Sequence, residues 1–206
     1  EVLVVIAIIA VLAGIMVPVV ARAKVKSKVA VSRIQMSELS AAIKSYKNDY
    51  ERFPIPTSSL ENSWGDVTFS SDFGSGYENS KLIEILINPE HQRNPKKNTY
   101  LRLDESGEYK DAKQAGLSLD GFYLDPFGNE YVITMDKDRD GRCFDEYYAK
   151  QTSRALIGLK TTEKSRSGKS GNSYSGEVMI WTAGPDLRWD KNVDKEENDD
   201  NILSWN

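Results

Sequence analysis

From Val2 to Ala21 every position is uncharged and most are aliphatic, whereas beyond Pro18 the pattern becomes a stripe: Val25, Val29, Met36, Leu39, Ile43, Tyr46 and Tyr50 recur every three, four or seven positions among polar residues. A helix over the first stretch is about 30 Å long, the thickness of a bilayer's hydrocarbon core. The second pattern has the helical period of a face that packs on a partner. Together they predict one long N-terminal α-helix to about Asp49, apolar all round over 1–21 and amphipathic over 22–53, ended by Pro54 and Pro56. Pro18 lacks a backbone donor and Gly14 adds freedom, so a kink or unwound turn is expected between them.

The rest, 54–206, reads as a globular α+β head. Thr57 to Asn79, rich in Ser, Gly, Asn and Asp, reads as a loop. Ser80 is placed to cap a short helix with Leu82, Ile83, Ile85 and Leu86 on its apolar face, stopped by Asn88-Pro89. His91 to Asp120 is polar and shows no period. Tyr131 to Met135 and Val178 to Thr182, β-branched and aromatic between turn formers, predict strands of a small antiparallel sheet. Lys160 to Gly176, dominated by Lys, Ser, Thr and Gly, reads as a mobile hairpin connection or surface insertion.

Composition narrows the function. Of 206 residues, those after the apolar stretch suffice for one ordinary domain on a stalk. A net charge of -4 gives no electrostatic case for a nucleic-acid partner. Arg22, Lys24, Lys26, Lys28 and Arg33 follow the apolar segment without an intervening acid, and Asp186 to Asp200 is acid-rich. The basic cluster would orient the head to the cytoplasm, unless a basic leader precedes Glu1; charge alone leaves the orientation open. A signal peptide is the rival for the apolar segment, and Ala21-Arg22-Ala23 has the small-x-small form of a cleavage site. Against it stand the length of the segment and the lack of a basic stretch before it. Glu1, a carboxylate at the head of an apolar helix, calls for a partner or an interfacial position.

The single cysteine, Cys143, rules out an intramolecular disulfide, and the single histidine, His91, rules out a histidine-cluster metal site. Cys143 beside Phe144 is expected to be buried, His91 to lie at the surface, and Trp181, Trp189 and Trp205 to pack the C-terminal loop. No phosphate loop, nucleophile elbow or paired metal-ligand motif occurs, and the chain is read as a non-enzyme. Two acidic loops offer calcium chemistry, a hard cation bound by several oxygens. Asp186, Asp199 and Asp200 form one candidate, with Asp190, Asp194 and Asn201 nearby; a solvated acidic tail is its rival. Asp136, Asp138 and Asp140, alternating before Gly141, form the first half of an EF-hand loop. The twelfth position there is Tyr147 rather than Glu, with Asp145 or Glu146 as possible substitutes, and an ordinary turn is the favoured reading.

Glu1 to Pro18, EVLVVIAIIAVLAGIMVP, resembles the start of mature type IV pilins and type II secretion pseudopilins. That family has further residues ahead of the glutamate. Asn48-Asp49-Tyr50-Glu51-Arg52-Phe53-Pro54, Leu124-Asp125-Pro126-Phe127-Gly128-Asn129-Glu130-Tyr131, Ala183-Gly184-Pro185-Asp186 and Asp199-Asp200-Asn201-Ile202 resemble the head of the major pseudopilins. The middle of the chain, Thr57 to Leu119, carries no such likeness. The resemblance implies a pilin-like fold and polymerisation of identical subunits into a helical filament. Leader peptidase, methylase and assembly machinery would act as partners, from the inner membrane to an extracellular filament or periplasmic pseudopilus. It implies that Glu1 pairs with a neighbour's N-terminus, that Pro18 marks the helix's exit from the membrane-like layer, and that the last loop binds calcium, best through Asp186 and Asp199. Three functions follow as expectations: a pilus subunit, a major pseudopilin driving protein export, or a monomeric membrane-anchored binding or adhesive domain.

Overall fold

A computed structural model describes residues 2–57, 65–71, 77–102, 116–150, 158–162, 166–190 and 198–205. Helix α1, Val2–Tyr50, runs for 49 residues, about 74 Å. It passes through Gly14 and Pro18 without interruption, so the unwound turn expected there does not form. Pro18 removes the one bond that would have ended on the Gly14 carbonyl, and the turns on either side stay helical.

Ser32, Met36, Leu39, Ile43 and Tyr46 form the buried stripe of α1, alternating steps of four and three. The expected stripe began earlier, at Val25. That side chain is 42% exposed, because the head reaches only to Val29, half-buried, and Lys28, whose ammonium lies 5.0 Å from the centre of the Phe127 ring. The far end of α1 is clamped. Lys47 pairs with Glu177 at 2.7 Å and lies over the Phe53 ring, and Glu51, in the left-handed region at φ 53, accepts a hydrogen bond from Arg139 on its carbonyl. Tyr46 donates to the Arg93 carbonyl at 2.7 Å and Tyr50 to Asn94 at 2.8 Å, which ties the turns after residue 88 to the helix.

After α1 come β1 (Val67–Phe69), α2 (Asn79–Ile87), β2 (Gly116–Leu117), β3 (Tyr123–Leu124), β4 (Val132–Met135) and β5 (Arg142–Cys143). A short 3-10 turn (Tyr148–Lys150) follows, then β6 (Lys160–Thr162), β7 (Gly171–Ser175), β8 (Val178–Thr182) and β9 (Ile202–Leu203). The main sheet is antiparallel in the order β1-β4-β8-β9, with Thr68 opposite Thr134, Ile133 opposite Ile180 and Thr182 opposite Ile202. Two smaller antiparallel sheets join β2 to β3 and order β5-β7-β6. The architecture is α+β, as the pattern predicts, and both anticipated strands are present.

Both faces of the main sheet are covered. Ile133, Met135, Val178 and Ile180 pack toward α1 and α2, while Val132, Met179 and Trp181 join Tyr147, Tyr148 and Leu203 on the other side. Trp189 and Trp205 pack against this second cluster beside the C-terminal loop, as expected.

Three expectations change. The Thr57–Asn79 stretch contains β1, whose three residues are buried through pairing with β4 and not through any local period. Ser80 is not the cap of α2. The helix starts at Asn79, and Glu130 accepts its first N–H at 3.0 Å. The Ser80 hydroxyl instead donates to Glu78 at 3.1 Å. His91 is half-buried rather than on the surface, its Nδ1 accepting the Arg93 N–H at 3.1 Å in a tight turn. The Lys160–Gly176 stretch does form a hairpin, with β6 and β7 as its arms.

Candidate functional sites: a bare apolar helix and an acidic cradle

Every described side chain from Val2 to Val20 is exposed, among them Leu3 at 82% and Val17 at 70%. A Cβ added to Gly14 would meet nothing within 4 Å. Each Val, Leu or Ile left in water forgoes about 1.5–3 kcal/mol of burial. A surface this long and apolar therefore requires lipid or protein around it. By length and composition the segment satisfies what a membrane anchor or a signal sequence needs. Glu1 lies outside the described residues.

In the head, Asp136 and Asp138 meet Asp66 from the start of β1, one carboxylate oxygen of each lying within 4.8 Å of the others. Asp136 closes the β4–β5 turn by accepting the N–H groups of Asp140 at 3.1 Å and Gly141 at 2.8 Å. Asp138 accepts the Ser167 N–H on Oδ2 at 3.0 Å, and Asp66 accepts the Phe144 N–H on Oδ2 at 2.7 Å. The Oδ1 atoms of Asp66 and Asp138 are buried without a hydrogen-bond partner. Burial, reinforced by the charges of Asp138 and Asp136, pushes the Asp66 carboxyl up to about 7, against the Phe144 N–H and Lys169, which favour its charged form. Asp136 is likewise raised, by burial first and by its contact with Asp138, while the Gly141 and Asp140 N–H groups oppose the rise.

The EF-hand half is thus a turn whose first two acids gather a third from elsewhere. Asp140 turns away, accepting the N–H groups of Arg142 and Arg166. Asp145 is not a substitute ligand: its carboxylate accepts from the N–H groups of Tyr147 and Tyr148, from Thr134 Oγ1 and from Trp181 Nε1. Asp66 was missed from the sequence because it sits in a stretch that reads as loop, and nothing local links it to Asp136.

The last loop is built around Gly184, at φ 76, where a Cβ would stand 2.2 Å from the Asp200 carbonyl oxygen. Asp200 accepts the Asp186 N–H on Oδ2 at 3.0 Å, and its Oδ1, like Asn201 Oδ1, is buried without a partner. Burial raises the Asp200 carboxyl, with the Asp186 N–H opposing and the Asp186 charge adding to the rise. Asp199 sits in the adjoining turn, but among the described residues Asp186, Asp199 and Asp200 are not gathered into a three-carboxylate group. Asp190 donates its N–H to Asn198, and Asp194 lies outside the described residues.

Asp125 links this loop to the sheet. Wholly buried, it accepts the N–H groups of Phe127 and Asn129 and the Thr182 hydroxyl, while Asn129 Nδ2 donates to the Gly184 carbonyl at 2.8 Å. Cys143 is fully buried as expected; burial holds its thiol well above the ordinary range, and Sγ donates to the Gly176 carbonyl at 3.3 Å. No protein-family model matches the chain, and no curated protein or solved structure is significantly similar to it.

Proposed function

We propose that this chain is a type IV pilin-like structural subunit, anchored in the inner membrane by the 1–21 segment and then polymerised into an extracellular filament through it. The observation that carries this reading is one helix of two characters. Its first half, Val2 to Val20, is exposed on every side, and its second half is buried in the head from Ser32 to Tyr46. A helix held so firmly at one end projects its apolar half away from the head, where lipid or copies of the same segment cover it. A contact repeated head to tail without closing propagates into a filament. The sequence likeness of Glu1 to Pro18 favours copies as the final partner, with Glu1 pairing a neighbour's N-terminus in an otherwise apolar layer. Leader peptidase, methylase and assembly machinery belong to the same reading, as does calcium in the Asp186–Asp200 loop.

Electron microscopy with helical averaging of material sheared from native cells tests it. Long filaments whose core density fits the Val2–Ala21 helices are expected. Short periplasmic filaments would instead assign the chain to the major pseudopilus of a type II secretion system. Recovery only as a detergent-soluble monomer would reject polymerisation and leave a membrane-anchored binding domain.

A further inference from the structure

We propose that Asp66, Asp136 and Asp138 form a calcium site that fastens the start of β1 to the β4–β5 turn. The geometry comes first. Oxygens that bind one calcium at about 2.4 Å stand no more than about 4.8 Å apart, and the three carboxylates satisfy that limit before any ion is present. The second observation is independent of the clustering. Asp66 is only 6% exposed, and its Oδ1, with that of Asp138, is a buried acceptor that no protein donor meets. Such an acceptor carries its full desolvation cost unless something absent from the polypeptide binds it.

The Lys169 charge favours ionised Asp66, but it makes no hydrogen bond to these two oxygens. Lys169 and Arg166 approach, with hydrogen bonds to the main-chain carbonyls of Asp66 and Asp138 at 3.3 and 3.5 Å. Donors are already placed on the remaining oxygens. The Phe144, Ser167, Asp140 and Gly141 N–H groups hold each carboxylate in orientation, as outer hydrogen bonds do around a metal. Gly65 lets the chain pass here, since a Cβ at this position would lie 2.6 Å from Ser167 Oγ.

Asp136 and Asp138 occupy the first and third positions of a calcium loop with Gly141 at its sixth. Asp66 supplies from another strand the carboxylate that Tyr147 cannot give at the twelfth. With three carboxylates and the remaining coordination left to water, the site belongs to the weak class, with Kd of roughly 10⁻⁴ to 10⁻³ M. This proposal is independent of the filament reading and of the last loop.

Thermal unfolding of the full chain in detergent, in chelator and in about 10 mM calcium or magnesium, tests it. Calcium is expected to raise Tm by roughly 3 to 10 °C in the wild type and in Asp200→Asn, and by clearly less in Asp66→Asn or Asp138→Asn, where only the last loop is left to bind it. In chelator these two variants should melt at or above the wild type, because a repelling carboxylate is gone. An undiminished calcium shift in both variants, or none in the wild type, would overturn the site. If both fail to fold, calorimetric titration of calcium into the double variant Asp186→Asn/Asp199→Asn decides: a site retained supports the proposal, and none retained rejects it.

Discussion

Asn79 has no exposed surface, yet its amide donates to the carbonyls of Tyr123 and Tyr131, both at 3.0 Å, and accepts the Tyr123 N–H at 3.1 Å. One side chain thus joins α2 to two strands. Asn79→Ala takes a hydrogen bond from three buried main-chain groups, of which the Tyr123 carbonyl keeps the Tyr131 N–H, and should cost about 2 kcal/mol or more, read from the urea midpoint at constant m. Asp66 gives a pH signature. Its folded pKa, about 7, lies above the ordinary carboxylate value. The stability it contributes is therefore fully present below about pH 4 and is lost as pH rises through 7. In chelator, wild type should gain on the order of 2–3 kcal/mol over Asp66→Asn between pH 8 and pH 5; a constant difference would mean that Asp66 titrates normally. Neither role is legible in the sequence. Asn79 and Asp66 stand among turn-forming residues that usually face water, and only long-range pairing buries them.

Elements were legible in proportion to how local their cause is. Helix α1 follows from its own period, and β8, VMIWT, from an apolar composition that fits a strand covered on both faces. Strand β1 has three residues, too few for a period to register, and exists because Thr68 and Thr134 oppose each other with hydroxyls 2.9 Å apart. The same locality explains the acidic site, where the Asp136–Gly141 half was visible and its third carboxylate was not. Phe69→Ala should cost about 3–5 kcal/mol, since this side chain is wholly buried against the main core. A loss below about 1 kcal/mol in equilibrium denaturation would show that β1 is peripheral.

At the scale of the molecule, the packed core and the bare apolar surface occupy different stretches of chain. The buried core draws on residues from Met36 onward, with Val29 packed against it, and none of the described side chains from Val2 to Val20 belongs to it. A chain beginning at Val25 should therefore keep the head's Tm within a few degrees while losing the need for detergent. A large fall in Tm would mean that the apolar half supports the head. The sheet order has a temporal consequence. Strand β8 lies between β4 and β9, so the sheet lacks its last strand until Ile202 and Leu203 have emerged from the ribosome, long after the apolar segment can enter a translocon. On the filament reading proposed above, the head would cross the bilayer unfinished and close on the far side, with its tether already fixed. Nascent chains halted before Ile202 should be membrane-bound yet protease-sensitive.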